Sequence, residues 1–80
     1  MSYKELRMEI QEIARVTFSK PELIISDDMT ADNVDTWTSL TFMQFLTAIE
    51  ERFGFRFKMM ELLKFQNMGI VIETVQNRCG

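Results

Sequence analysis

Apolar residues recur at helical spacing in several stretches of the chain. In the first, Tyr3 to Thr17, they stand three or four positions apart, as Leu6, Ile10, Ile13 and Ala14. Charged and amide residues fill the positions between them, so this stretch predicts a helix with one buried stripe. Proline lacks the N–H donor that a helix needs, so the helix is predicted to end at or shortly before Lys20 and Pro21.

The second stretch has the clearest helical pattern. Its apolar residues follow i, i+3, i+4, i+7, i+11 and are Phe42, Phe45, Leu46, Ile49 and Phe53. Gly54 comes directly afterwards and is the expected C-terminal stop. Thr41 and Gln44 have the spacing of a capping box, which would cap the start of this helix.

The remaining third of the chain predicts one short and one longer helix. The alternating phenylalanines of 53–57 would suit a strand, but there is no second strand to pair with. We therefore predict an extended connector packed on the core, followed by a short helix over 59–64. Asn67 is a suitable cap for the last helix. The buried stripe of that helix is expected to be Met68, Val71, Ile72 and Val75. The expected fold is an all-α, small four-helix bundle of three longer helices and one short helix, forming a single domain over residues 1–80.

A long connection separates the first two helices. Residues 22–37 have no sustained periodicity, and a loop of this length in a small domain is usually functional or packed on itself. Its apolar residues are spaced like anchors and are Leu23, Ile24, Ile25, Met29, Val34 and Trp37. Its acids do not fit a calcium loop, because frames starting at Asp28 or Asp32 lack the glycine at the sixth position and the glutamate at the twelfth. We interpret these acids as solvated loop residues.

Composition excludes several classes of function. The chain has no histidine, one cysteine and a net charge of -3. This removes most nucleophile–base pairs and transition-metal sites, so we predict no catalytic residue, no metal and no enzyme. Without a basic stripe no nucleic-acid partner is expected. The N-terminus does not resemble a signal peptide and no apolar run approaches membrane-spanning length, so we predict a cytoplasmic monomer without stable membrane insertion.

Four hydroxyl residues precede or begin the second helix: Thr36, Thr38, Ser39 and Thr41. Side-chain physics alone favours simple capping, since Ser and Thr satisfy the unpaired N–H groups of a helix start. The alternative is that one of them is a phosphate attachment point, because a helix N-terminus favours a phosphodiester. Leu40 and Met43 lie off the buried stripe, which fits either a partner-docking patch or, for Leu40, packing under the long loop.

The stretch "VDTWTSLTFMQFLTAIEERFGFRF" resembles the acyl carrier proteins and related phosphopantetheine-binding carrier domains. It is similar to the W-D-S-L motif of that family, followed by an apolar helix and A-[IL]-E-x-x-F-G-[IF]-x-[FI]. The segment "LKFQNMGIVIETV" likewise resembles the closing L-x-x-[VI]-x-[TN]-[VM]-G-x-[VL] segment of the family. The resemblance covers nearly the whole chain.

The resemblance implies a function and a site. Ser39 matches the serine to which a phosphopantetheinyl transferase attaches 4'-phosphopantetheine from coenzyme A, and the thiol of that arm holds acyl groups as thioesters. Acyl-transferring or condensing enzymes would dock on the second helix. The implied partner-binding residues are Leu40, Met43, Thr47, Glu50 and Glu51. Trp37 would help to hold the long loop on the core. The cargo is left open among fatty acid, polyketide, amino-acid and specialised starter units, and the family often lines its acyl pocket with the region 55–65.

Two departures from the family pattern leave an alternative function open. Thr38 stands where the family usually has an aspartate that assists the transferase, so modification is expected to be slow, to need a dedicated transferase or not to happen. Thr41, Gln44 and Arg52 occupy positions that are often acidic, which weakens steering toward basic partners. The alternative is an unmodified carrier-like interaction domain. A third hypothesis, a membrane-surface protein, needs residues 55–65 to be exposed.

Overall fold

Four helices surround one core in the computed structural model, which describes residues 1–79. They are α1 (Tyr3–Thr17), α2 (Ser39–Phe53), α3 (Met59–Leu62) and α4 (Met68–Cys79). Within residues 1–79 there is no strand. The connector between α2 and α3 has no regular secondary structure, and its last residue, Lys58, is extended. The predicted all-α bundle of three longer helices and one short helix, with a long loop after the first, is confirmed.

The predicted apolar stripes meet in this core. All four stripe residues of α1 are buried, as are all four of α4. In α2 the middle of the stripe, Phe45, Leu46 and Ile49, is buried, whereas Phe42 and Phe53 at its ends are partly buried and pack against it. α1 contacts both α2 and α4, so the first helix is the common support of the other two longer helices.

The helix ends follow local chemistry. Ser19 adopts a left-handed backbone with φ 54°, and the Lys20 N–H then donates to the Arg15 carbonyl at 2.9 Å, so α1 stops before Pro21. Gly54 ends α2 with φ 74°, as predicted. Asn67 Oδ1 accepts a hydrogen bond from the Ile70 N–H at 2.9 Å, which confirms it as a cap of α4.

The long loop is held by a polar row on α1. Arg7, Gln11 and Arg15 stand four residues apart, so they lie along one side of the helix. Gln11 Oε1 accepts from the Ile25 N–H at 3.1 Å, and Arg7 donates to the Ile25 carbonyl at 3.1 Å. Arg15 Nε donates to the Leu23 carbonyl at 2.7 Å. These side chains, which the sequence pattern assigned only to a polar face, satisfy loop backbone groups that would otherwise lack partners.

Five of the six predicted loop anchors pack on the core. Ile25, Met29 and Val34 are buried, and Leu23 and Trp37 are partly buried against them. The prediction for Ile24 is wrong, because its side chain is 74% exposed. Both backbone groups of its neighbour Ile25 are bonded to side chains of α1, and the Ile25 side chain, not that of Ile24, is the one that is buried.

The loop also contacts the start of α4 at very short range. The N–H groups of Met68 and Gly69 donate to the carbonyls of Met29 and Asp27, each at 2.8 Å. A Cβ on Gly69 would lie 2.8 Å from the Asp27 carbonyl oxygen and 2.9 Å from the Asp27 Cβ. Glycine at this position therefore lets the loop approach the helix start.

We expect Gly69→Ala to destabilise the fold by about 1–3 kcal/mol, because the added methyl group must push the loop backbone away from α4. The measurement is the free energy of unfolding by urea denaturation. Asn77→Ala, an exposed change on the same helix, is the control and is expected to stay within about 0.5 kcal/mol of wild type. Equal stability of the two variants would contradict the close approach at Gly69.

The connector and α3 are fastened by two carboxylates. Glu50 Oε2 accepts from the N–H of buried Phe57 at 2.7 Å, so the connector packs on the core as predicted. The region 55–65, which the membrane-surface hypothesis needs to be exposed, is divided, because Phe57 is buried whereas Met59, Met60 and Leu63 are 70%, 72% and 74% exposed. Glu61 Oε1 accepts from the Lys58 N–H at 2.8 Å and pairs with Arg78 Nη1 at 2.8 Å, which joins α3 to α4.

Acid is expected to weaken this junction. The hydrogen bond from the Lys58 N–H, helped by Arg78, holds the pKa of the Glu61 carboxyl below its usual range against the opposing effect of burial. A carboxyl whose pKa is lower in the folded than in the unfolded state stabilises the fold above its unfolded pKa, and this stabilisation is lost as the pH falls through the folded pKa. Glu61→Gln should therefore lower the melting temperature at neutral pH, and by progressively less as the pH falls through the lowered pKa of Glu61. A melting-temperature difference that persists unchanged in acid would disprove this account.

Candidate functional site

The start of α2 is built by two threonines. Thr38 is the N-cap residue, and its Oγ1 accepts from the Thr41 N–H at 3.2 Å. Thr41 Oγ1 in turn accepts from the Thr38 N–H at 2.8 Å, which completes a capping box. The prediction that Thr41 and Gln44 form the box is wrong, because the chain is still extended at Thr38 and already helical at Thr41.

This arrangement separates the roles of the four hydroxyls. Thr41 Oγ1 also donates to the Thr36 carbonyl at 2.6 Å, so Thr41 ties the loop to the helix start. The Thr36 hydroxyl oxygen is buried and has no hydrogen-bond partner among residues 1–79. Ser39, the first residue of α2, is exposed, and its hydroxyl takes no part in the capping network. Ser39 is thus the hydroxyl that is free for an external reagent.

The electrostatics at Ser39 suit a phosphate group. The N–H groups of Ser39 and Leu40 lie in the first turn of α2, where no intrahelical acceptor exists, and the helix dipole places partial positive charge there. The first turn contains no acidic residue that would repel an anion. The donors at this helix start therefore fit a phosphodiester on Ser39.

A groove of about 360 Å³ opens directly beside Ser39. Its lining consists of Ala31, Trp37, Thr38, Ser39 and Phe42. The Trp37 ring stacks on Phe42 with centroids 5.1 Å apart and on buried Phe18 at 5.3 Å, which joins the end of the loop to the core. The helical spacing of Phe42 predicts only a core position for it, and no pattern in the sequence marks Ala31 as part of a groove.

The predicted partner-binding residues divide into two groups. Leu40 and Met43 are 68% and 55% exposed, and with exposed Thr47 they stand at i, i+3 and i+7 on one face of α2. The alternative prediction, that Leu40 packs under the long loop, is therefore wrong. Glu51 is exposed beyond them, whereas the Glu50 carboxylate is engaged with the Phe57 N–H at 2.7 Å. We refer to Leu40, Met43, Thr47 and Glu51 as the outer face of α2.

Within residues 1–79, no group of three or more His, Cys, Asp or Glu side chains is placed to hold a metal ion. Over the same residues, the helices are too short or too polar to cross a bilayer. Cys79 is a free, exposed cysteine, and partial burial of its sulfur raises the pKa of the thiol.

Comparison with known proteins identifies the class of this chain. The family described as "Phosphopantetheine attachment site" matches residues 4–75, and the chain belongs to it. Its fold is similar to the solution NMR structure of a holo acyl carrier protein from Geobacter metallireducens, with a TM-score of 0.82 and 24% sequence identity. That match covers 88% of this chain and 80% of the other. A comparison with curated proteins found no match.

Family membership makes the chain a carrier of covalently attached phosphopantetheine rather than an enzyme. The predicted family and cofactor are thereby confirmed.

Proposed function

We propose that the chain is an acyl carrier protein whose phosphopantetheine arm is attached to Ser39. The observation that supports this assignment is that, of the four hydroxyl residues at the start of α2, Ser39 alone has an exposed hydroxyl outside the capping network. Thr38 and Thr41 are occupied in the capping box, and the Thr36 hydroxyl is buried. Ser39 is exposed at a helix start whose N–H groups favour an anion.

The chemistry of loading follows from this geometry. A P–O bond forms between Ser39 Oγ and the pantetheine-side phosphorus of coenzyme A, and the pyrophosphate P–O bond breaks. The adenosine bisphosphate leaves, and a base of the transferase accepts the hydroxyl proton. This chain presents the hydroxyl in a fixed place and offers the first-turn N–H groups of α2 to the phosphate oxygens. Once attached, the arm supplies a thiol that holds acyl groups as thioesters.

The outer face of α2 is the proposed docking surface. Phosphopantetheinyl transferase and acyl-transferring or condensing enzymes would contact Leu40 and Met43 beside the attachment site, with Thr47 and Glu51 at the rim. Glu50 supports the connector and contributes less to docking than its position on the helix implies. Residues 1–80 act as one monomeric carrier unit in the cytoplasm, with cargo from fatty acid or polyketide biosynthesis.

An unmodified interaction domain is the second candidate. It is favoured by the neutral Thr38 directly before Ser39, where the family usually has an aspartate that assists the transferase. In that case the outer face of α2 binds partners without a loaded arm.

The deciding experiment is the intact mass of the protein after incubation with coenzyme A, magnesium and a broad-specificity phosphopantetheinyl transferase. We expect the wild type to gain one phosphopantetheine and Ser39→Ala to gain none. Ser26→Ala removes an exposed serine from the loop and should load like wild type. Loading of Ser39→Ala would move the site to another hydroxyl. Loading of neither the wild type nor Thr38→Asp would favour the unmodified domain.

A further inference from the structure

A continuous row of aromatic rings lies between α2 and the segment that contains α3. The Phe42 ring meets Phe65 edge to face, with centroids 6.4 Å apart. Phe65 meets Phe57 in the same way at 5.1 Å, and Phe57 meets Phe55 at 4.9 Å. We call Phe42, Phe65, Phe57 and Phe55 the ring row. Arg78 closes its far end, with the guanidinium carbon 5.0 Å from the centre of the Phe55 ring.

The interior behind the ring row is shielded from solvent. Phe45 and Ile49 of α2 and Val71 of α4 are fully buried, with 0% exposure each. A chain entering between α2 and α4 would have to separate flat, rigid rings whose edge-to-face contacts would all be lost together. Close-packed interiors resist such insertion, since nearby atoms must move as a group.

The outside of the molecule offers an apolar surface that needs no such movement. Trp37 and Phe42, which we call the aromatic shelf, stack with centroids 5.1 Å apart and line the groove of about 360 Å³ beside Ser39. Ala31 faces the same groove with a single methyl group. An arm that leaves Ser39 meets this surface first, because Ser39 itself is part of the lining.

Resting on the proposed function, we propose that the arm lies on the aromatic shelf and that its cargo stays outside the core. The cargo class that suits this arrangement is a short or polar acyl group. The free-energy cost of leaving a long saturated chain in water grows with its apolar area. The ring row would keep such a chain out of the core, so it would have to bear this cost. The region 55–65, which the family resemblance marks as a pocket wall, here closes the interior instead.

The test compares acetyl- and octanoyl-phosphopantetheine forms of the protein, each made from the matching coenzyme A thioester. Trp37 is the single tryptophan, so its emission reports on the shelf without labelling. We expect attachment of the arm to shift this emission. We expect the melting temperatures of the two acyl forms to agree within about 2 °C, whereas burial of the longer chain would raise the melting temperature by roughly 10 °C or more.

A variant that opens the ring row sharpens the comparison. Phe65→Ala, or Phe65→Leu where alanine prevents folding, removes the ring that joins Phe42 to Phe57, so octanoyl should now stabilise the protein relative to acetyl. Leu63→Ala, a nearby change at a side chain that is 74% exposed, should behave like wild type.

If octanoyl raises the melting temperature of the wild type as much as that of the Phe65 variant, the inference about the cargo is overturned, whereas the proposed function is not. Unchanged Trp37 emission on arm attachment would overturn the placement on the shelf. Absence of loading at Ser39 would overturn the proposed function, and with it this inference.

Discussion

Phe45→Ala is expected to remove most of the stability of this protein. Phe45 is fully buried in α2, and its ring lies 5.2 Å from Phe18 and 6.1 Å from Phe42, measured between centroids. Truncation of a buried phenylalanine costs about 3–5 kcal/mol through lost apolar contact and the cavity that remains. A domain of this size has only about 3–5 kcal/mol of stability from its core. Urea denaturation and the melting temperature measure the loss.

Two further changes in α2 test the same assignment, one at a second buried side chain and one at an exposed side chain that serves as the control. Ile49→Ala removes a second fully buried side chain and is expected to cost about 2–5 kcal/mol. Met43→Ala truncates a side chain that is 55% exposed and should change stability by less than about 0.5 kcal/mol. Near-native melting temperatures for both Phe45→Ala and Ile49→Ala would contradict the buried face assigned to α2.

Thr38→Asp is expected to speed transfer of phosphopantetheine to Ser39 by about 10- to 100-fold. The change places a carboxylate directly before the attachment serine, where the family usually has one and where the first turn of α2 has no acid. A hydrogen bond to a charged group contributes about 1.5–3 kcal/mol, which sets the size of the expected acceleration. Aspartate is also a good N-cap and its charge suits the positive end of the helix, so the fold should be preserved. The initial rate of mass gain under limiting transferase measures the effect.

Thr47→Asp is the matched control for this experiment. It adds the same charge to an exposed threonine of α2, about two helical turns beyond Ser39. Equal acceleration in both variants would assign the effect to general charge steering rather than to the position before the serine. An unchanged rate for Thr38→Asp would show that this threonine does not limit loading.

The helix pattern was predictable because its causes are local. The spacing of Leu6, Ile10, Ile13 and Ala14 placed α1 over the same fifteen residues that the structure assigns to it. Gly54 and Asn67 act at helix ends through their own backbone freedom and side-chain chemistry, which need no distant partner. The carrier class was likewise accessible from motifs at fixed separations along the chain.

The sequence did not predict which of several similar neighbouring residues takes a given structural role. Thr38, Ser39 and Thr41 all have side chains that can cap a helix, and Gln44 offers a partner with capping-box spacing. Which box forms depends on where the backbone leaves its extended conformation, and the bond from Thr41 Oγ1 to the Thr36 carbonyl helps to hold that point. Ile24 shows the same limit, since its exposure depends on the contacts of the adjacent backbone with α1.

The order and type of the helices, their buried stripes and the family motif are therefore properties of short stretches of sequence. The accessibility of Ser39, the loop contacts of Arg7 and Gly69, and the ring row from Phe42 to Phe55 arise only on folding. Ser39 is accessible because its neighbours Thr38 and Thr41 form the capping box instead. The other features join residues that are distant in the sequence, and no periodicity along one element specifies which side chains of another it will meet. Their geometry follows from packing four helices and a long loop on one core, where close contact leaves room for few arrangements.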